Sequence, residues 1–152
     1  MIAGRFDPDL FREIVPPDPI GAYERGILRG SLGMLSGQFP LRDGELLYTG
    51  RVGIELTEDQ GKEAAFLAAS NALAQIVILL DGFDRLEGLL RLDGYVASAP
   101  NYTCQPAILD IASQLFRRVL GDKGRHARTA FSVGQLPLGA PVELAISFAV
   151  GR

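Results

Sequence analysis

At 152 residues the chain has the length of one domain, enough to bury roughly 70% of its unfolded surface. Hydrophobic residues make up 47% and charged residues 22%, ordinary proportions for a globular protein, and no stretch reads as the roughly 20 apolar residues of a membrane span. A net charge of −3 gives no general attraction to nucleic acid. A single cysteine excludes an internal disulfide framework, and no basic segment followed by an apolar run marks a secretion signal, so a reducing cytoplasm is expected.

Residues 1–19 carry four prolines, three of them between Pro16 and Pro19, and little periodicity. They read as a lead-in segment ahead of a domain at 20–152, in which Phe6, Leu10, Phe11 and Ile14 could form a short amphipathic turn that docks on it. From Tyr23 the pattern becomes that of strands. Residues 23–29 and 32–37 flank Gly30-Ser31, suited to a tight hairpin, and Asp43-Gly44 turns into a third strand at 45–49. Thr57 with Gln60 has capping-box spacing, and Ala65, Ala68, Ala69, Ala72, Ile76 and Leu80 then form a helical stripe that Asp81-Gly82 ends.

Residues 86–97 alternate as a strand, with Leu86, Gly88, Leu90, Leu92 and Val96 on one face and Glu87, Arg91 and Asp93 on the other. Pro106 suits the first turn of a second helix whose core face is Ile108, Ala112, Leu115 and Val119, stopped by Gly121. Two strands close the chain. In the first, Phe131 and Val133 share one face and Arg128, Ala130 and Ser132 the other. In the second, Val142, Leu144, Ile146, Phe148 and Val150 face one way, Glu143, Ala145, Ser147 and Ala149 the other.

The order is β-β-β-α-β-α-β-β, which predicts an α+β fold: one mixed six-stranded sheet with both helices on one face. The second face, of Gly, Ala, Ser and a few charges, is left without cover, and another copy of the chain would supply it.

Among chemistry-bearing residues, metal sites are excluded first. There is one histidine, His126, and no His/Cys cluster at ligand spacing, so no metal and no cofactor is expected. His126 reads as a surface or interface side chain, and Cys104 as a semi-exposed structural thiol without a base. Arg117, Arg118, Lys123, Arg125 and Arg128 crowd into a dozen residues. The first two complement a helix C-terminus, which accounts for them better than a nucleic-acid patch. Arg128 differs, because it shares a face with small side chains. It reads as an anion-binding group at a pocket edge, able to grip a carboxylate through two parallel hydrogen bonds; an intersubunit salt bridge is the other reading.

Ala127-Arg128-Thr129-Ala130, Leu136-Pro137 and the Val-Glu of the last strand resemble the C-terminal signature of the YjgF/RidA family. Ile20-Gly21-Ala22-Tyr23, the segment from Leu35 through Ser36-Gly37-Gln38 to Pro40, and Asn71-Ala72-Leu73-Ala74-Gln75 agree in order and spacing. The resemblance implies a chorismate-mutase-like subunit in a cytoplasmic homotrimer, with three clefts between subunits for small imino, enamine or keto carboxylic acids. It implies that Arg128 holds the carboxylate, the Ala130 amide and the Ser36 hydroxyl orient the ligand, and Tyr23 walls the cleft. Deaminating members carry a glutamate where this chain has Ala145, so slow imine hydrolysis with retained carboxylate binding is expected. Glu143 is a possible catalytic group on the same face, but about 6.6–6.8 Å along the strand it is a poor direct substitute for that glutamate. A non-catalytic metabolite-binding or interaction module is the alternative, and the acidic balance and lack of a histidine pair disfavour a ribonuclease. No membrane partner is expected.

Overall fold

Thr57 opens the longest element with a reciprocal cap. In the computed structural model, which describes residues 7–152, its hydroxyl accepts the Gln60 amide while the Gln60 side chain accepts the Thr57 amide. That satisfies two of the orphan donors of α1 (Glu58–Leu80). At the other end Asp81, rather than Gly82, takes the left-handed conformation first, with φ 58°, which a short polar side chain tolerates. Ala64, Ala65, Ala68, Ala69 and Ala72 are wholly buried, and their small side chains let the helix lie close on its neighbours. Contrary to the sequence expectation, α1 is long and apolar enough to cross a membrane by length and composition. Most of it is buried inside the fold, however, so its apolar surface is already partnered as a core helix.

The strands are β1 (Gly26–Arg29), β2 (Leu32–Leu35), β3 (Leu41–Arg42), β4 (Glu45–Leu46), β5 (Leu86–Ala97), β6 (Ala127–Val133) and β7 (Val142–Val150). The second helix, α2 (Gln105–Leu120), carries Pro106 in its first turn and ends at Gly121, with φ 62°. The sheet is five-stranded in the order β1-β2-β7-β5-β6, and β3 pairs only with β4. The expected six-stranded sheet is thus corrected to five strands plus a two-stranded ribbon. The cause is long-range. The buried Asn71 carboxamide donates to the carbonyls of Phe39 and Leu41, at 3.0 and 2.8 Å, and Pro40 has no amide to give. The backbone here is claimed by α1 instead of by a neighbouring strand.

β7 lies at the centre, antiparallel to β2 and β5, while α2 carries the chain across to β6, parallel to β5. Every second residue of β7 is buried beneath the helices, as its period predicts. In β5 the pairing slips between Leu86 and Gly88 and again between Leu89 and Arg91. The irregularity turns Leu89 inward and Leu90 out to solvent, against the strict alternation expected. Gly94 lets α2 approach, since an added Cβ would overlap the Leu109 side chain.

The face away from the helices carries Ile27, Leu32, Met34 and Phe131, all exposed, besides Ala145, Ser147 and Ala149. It is more apolar than the small residues expected there. Tyr95 and Phe131 stack on it with centroids 4.9 Å apart. Of the predicted N-terminal turn, Phe11 is buried in the core and Ile14 packs against it, Leu10 is exposed, and Phe6 lies outside the described residues. The Gln75 side chain donates to the Pro17 carbonyl and so ties this segment to α1.

Candidate functional site

At the end of β2 the chain turns through Ser36-Gly37 toward β7. The Ser36 amide donates to the Arg25 carbonyl at 3.1 Å, and Gln38 and Leu144 exchange both backbone hydrogen bonds. This staples the turn against the start of β7, where Glu143 lies. An open recess of about 420 Å³ results, lined by Ile20, Tyr23, Ser36, Gly37, Phe39, Pro137 and Glu143. Three of the sequence-predicted residues, Tyr23, Ser36 and Glu143, therefore meet in one place.

Their chemistry is specific. The Ser36 hydroxyl donates to the Glu24 carbonyl, which leaves its lone pairs to accept from a ligand N–H. Tyr23 is half exposed at the rim. The Glu143 carboxylate lies against Gly37 so closely that an added Cβ would overlap it. No cation or hydrogen-bond donor pairs with Glu143 among the described residues, and burial holds its carboxyl above the usual carboxylate range. A carboxyl of that kind in an apolar recess keeps its proton to higher pH than an exposed glutamate does, which suits it to proton transfer. Ala145 lies one step along the same face, opposite Asp93, and does not line the recess. The Asp93 oxygen is already taken by Arg91, which also donates to Thr129.

Arg128 is elsewhere. In β6 it pairs with Leu92 in register, on the helix-covered side of the sheet. The small-residue face of β6 is thus opposite to that of β7, and Arg128 and Glu143 project from different faces of one subunit. Its Nη1 donates to Asp110 Oδ1 at 2.8 Å and to Ser113 Oγ at 3.2 Å, both on α2. The salt bridge is therefore within the chain, where the sequence reading offered an intersubunit one. Ala130 lies two residues on, packed against the core and level with Gly94.

His126 is more engaged than a surface residue. Its ring is half-buried, edge-on to Phe116, with Nδ1 2.7 Å from the Gly124 carbonyl and Nε2 2.9 Å from Ser113 Oγ. A carbonyl only accepts, which assigns the proton to Nδ1. Burial first, then the charges of Arg128 and Arg117, lower its pKa from the usual value. Cys104 is exposed at the head of α2. Sequence reasoning missed Asp110 and Ser113; their signal was the i, i+3 spacing that sets both on one face of α2.

Residues 13–149 match the family model described as YjgF/chorismate mutase-like, to which an endoribonuclease activity is attached only provisionally. The chain belongs to the YjgF/RidA family. Protein TCP17 of Trypanosoma cruzi is 36% identical to this family member over 83% of the chain and 79% of its own length. The crystal structure of Atu1372 from Agrobacterium tumefaciens, a protein of unknown function, superimposes with a TM-score of 0.85 at 31% identity, covering 94% of both chains. The fold extends to E. coli TdcF, solved with bound serine, at a TM-score of 0.65 and 19% identity over 90% of this chain and 94% of that one. In this YjgF/RidA protein Glu143, and not Ala145, is the last-strand residue that reaches the recess.

Proposed function

We propose that this YjgF/RidA-family protein binds small 2-imino, enamine or 2-keto carboxylic acids in clefts between copies of the chain, in a reducing cytoplasm, and hydrolyses reactive imines there. The observation that carries the reading is the split of its polar groups. Tyr23, Ser36 and Glu143 line one recess, while Arg128 projects from the other sheet face. A ligand whose carboxylate rests on Arg128 meets the recess only across a contact between two copies. The exposed apolar face of the sheet supports such a contact, and the assembly we propose is the homotrimer with three shared clefts that the family resemblance implies.

In the cleft, the Arg128 guanidinium holds the carboxylate by charge-assisted hydrogen bonds, the Ala130 amide orients the same end, and Ser36 accepts from the imine N–H. A water adds to the imine carbon as Glu143 takes its proton and returns it to the nitrogen, giving the carbinolamine. The hydroxyl proton then passes through the same carboxyl to the nitrogen as the C–N bond breaks, the carbonyl forms and ammonia leaves. The products are the ketoacid and ammonia.

The test is ammonia release from freshly generated 2-iminopropanoate, with pyruvate binding measured in parallel by calorimetry. Release above the uncatalysed rate, together with saturable pyruvate binding, is the expected result. Binding without release would assign the protein as a metabolite-binding module, a reading favoured by the methyl group of Ala145 where relatives carry a carboxylate. Neither binding nor release would remove the proposal.

A further inference from the structure

We infer that Ser113 and Asp110 of α2, with His126 behind them, are positioning residues for Arg128: they occupy one edge of its guanidinium and present the other to a carboxylate. This rests on the reading of Arg128 as the carboxylate holder. A guanidinium has five N–H donors in a fixed fork. Nη1 carries two of them, and Asp110 Oδ1 at 2.8 Å and Ser113 Oγ at 3.2 Å use both. Among the described residues no protein group pairs with Nε or Nη2. Those two nitrogens form the edge whose parallel N–H bonds match a carboxylate, so the edge suited to the ligand is the one left free.

The hydrogen bonds behind Arg128 run in one direction. Arg128 donates to Ser113 Oγ, whose own proton must then go elsewhere, and His126 Nε2 accepts it at 2.9 Å. His126 can accept there because Nδ1 holds the ring proton and donates it to the Gly124 carbonyl at 2.7 Å. Bonds aligned head to tail polarise one another. Burial and the adjacent Arg128 and Arg117 charges lower the ring's pKa and so favour the neutral form that this order requires. The Arg128 side chain is 23% exposed and Asp110 is 54% exposed. Water screens the Asp110 charge, so it orients the guanidinium without cancelling its attraction for an anion. Holding a long side chain in place before binding also lowers the ordering cost of taking a ligand.

A plain structural role, tying α2 to β6, would make the same contacts but would not transmit ligand binding to His126. The chain has one histidine, so its imidazole nitrogens are an unambiguous reporter. The probe is pyruvate, titrated into the full chain and followed by calorimetry and by the His126 nitrogen resonances. Saturation of the wild type is expected to shift the Nε2 resonance through Ser113. Ser113→Ala is expected to weaken pyruvate roughly tenfold, the scale of one hydrogen bond to a charged group, and to abolish the His126 shift even at saturation. Ser113→Thr, which keeps the hydroxyl, is expected to restore both.

An unmoved His126 resonance in pyruvate-saturated wild type overturns the inference, and that measurement decides the matter if Ser113→Ala does not fold. Wild-type affinity in a folded Ser113→Ala overturns it as well. If Arg128→Ala abolishes binding in that case, the carboxylate reading stands and only the positioning role falls. If Arg128→Ala binds pyruvate normally, or the wild type does not bind it, both fall together.

Discussion

Glu143 concentrates the chemistry at the scale of single residues. It is unpaired among the described residues, half-buried, and held above the ordinary carboxylate range by burial. In its proposed role as base it must be ionised, so ammonia release should fall as pH drops through this raised value, at higher pH than an ordinary glutamate would require. The effect on stability has the opposite sense. The folded state keeps the proton to higher pH than the unfolded chain, so the contribution to stability is present below the unfolded value and lost as pH rises through the folded one. Glu143→Gln is therefore expected to lower turnover by roughly 10²–10⁴-fold while raising the melting temperature at neutral pH. A variant that turns over normally would show that the base is another group. Gly37→Ala tests the same carboxylate from outside. The new Cβ would displace only the end of a flexible side chain, so the fold should hold while turnover falls more than tenfold, an expectation sized by the loss of a positioned base. Unchanged turnover would show that the placement of Glu143 against Gly37 is incidental.

Among the elements, the β3–β4 ribbon shows how a helix can divert a strand. The Asn71 carboxamide, buried in α1, takes the carbonyls of Phe39 and Leu41, and Phe39 then lines the recess. Asn71→Ala leaves both carbonyls without their donor. It should cost about 1–3 kcal/mol and weaken ligand binding through the displaced Phe39, read by denaturant unfolding beside a pyruvate titration. A loss confined to stability would separate the ribbon from the site. α2 works in the same manner on β6. Its Asp110 and Ser113, one helical turn apart, hold Arg128 on the side of the sheet opposite the recess.

For the whole molecule, the sheet has one face packed by helices and one open face bearing Ile27, Leu32, Met34 and Phe131. On the proposed reading, self-association through that face would cover the apolar surface and bring the recess of one copy to the edge strand that carries Arg128 of the next. Light scattering at micromolar concentration should give a trimer mass, and Met34→Glu together with Phe131→Glu should reduce it toward the monomer and abolish pyruvate binding. A monomer mass for the wild type would end the shared-cleft account.

Some of this was legible in contiguous residues. The Thr57-Gln60 cap, the Gly30-Ser31 turn and the period-two burial of β7 depend on backbone geometry acting over a few positions. They could be read from order and spacing alone, and so could the family motifs on which the proposed roles of Tyr23, Ser36, Ala130 and Arg128 rest. The tertiary structure decided which way β6 faces, because only pairing with β5 and cover by α2 set the side on which a strand residue lies. It also decided the partners of Arg128, the competition of Asn71 for two carbonyls, and the seat of Glu143 on Gly37. Each of these joins groups far apart in the chain. The raised proton affinity of Glu143 has the same origin, since desolvation arises from whatever the fold packs around a carboxylate.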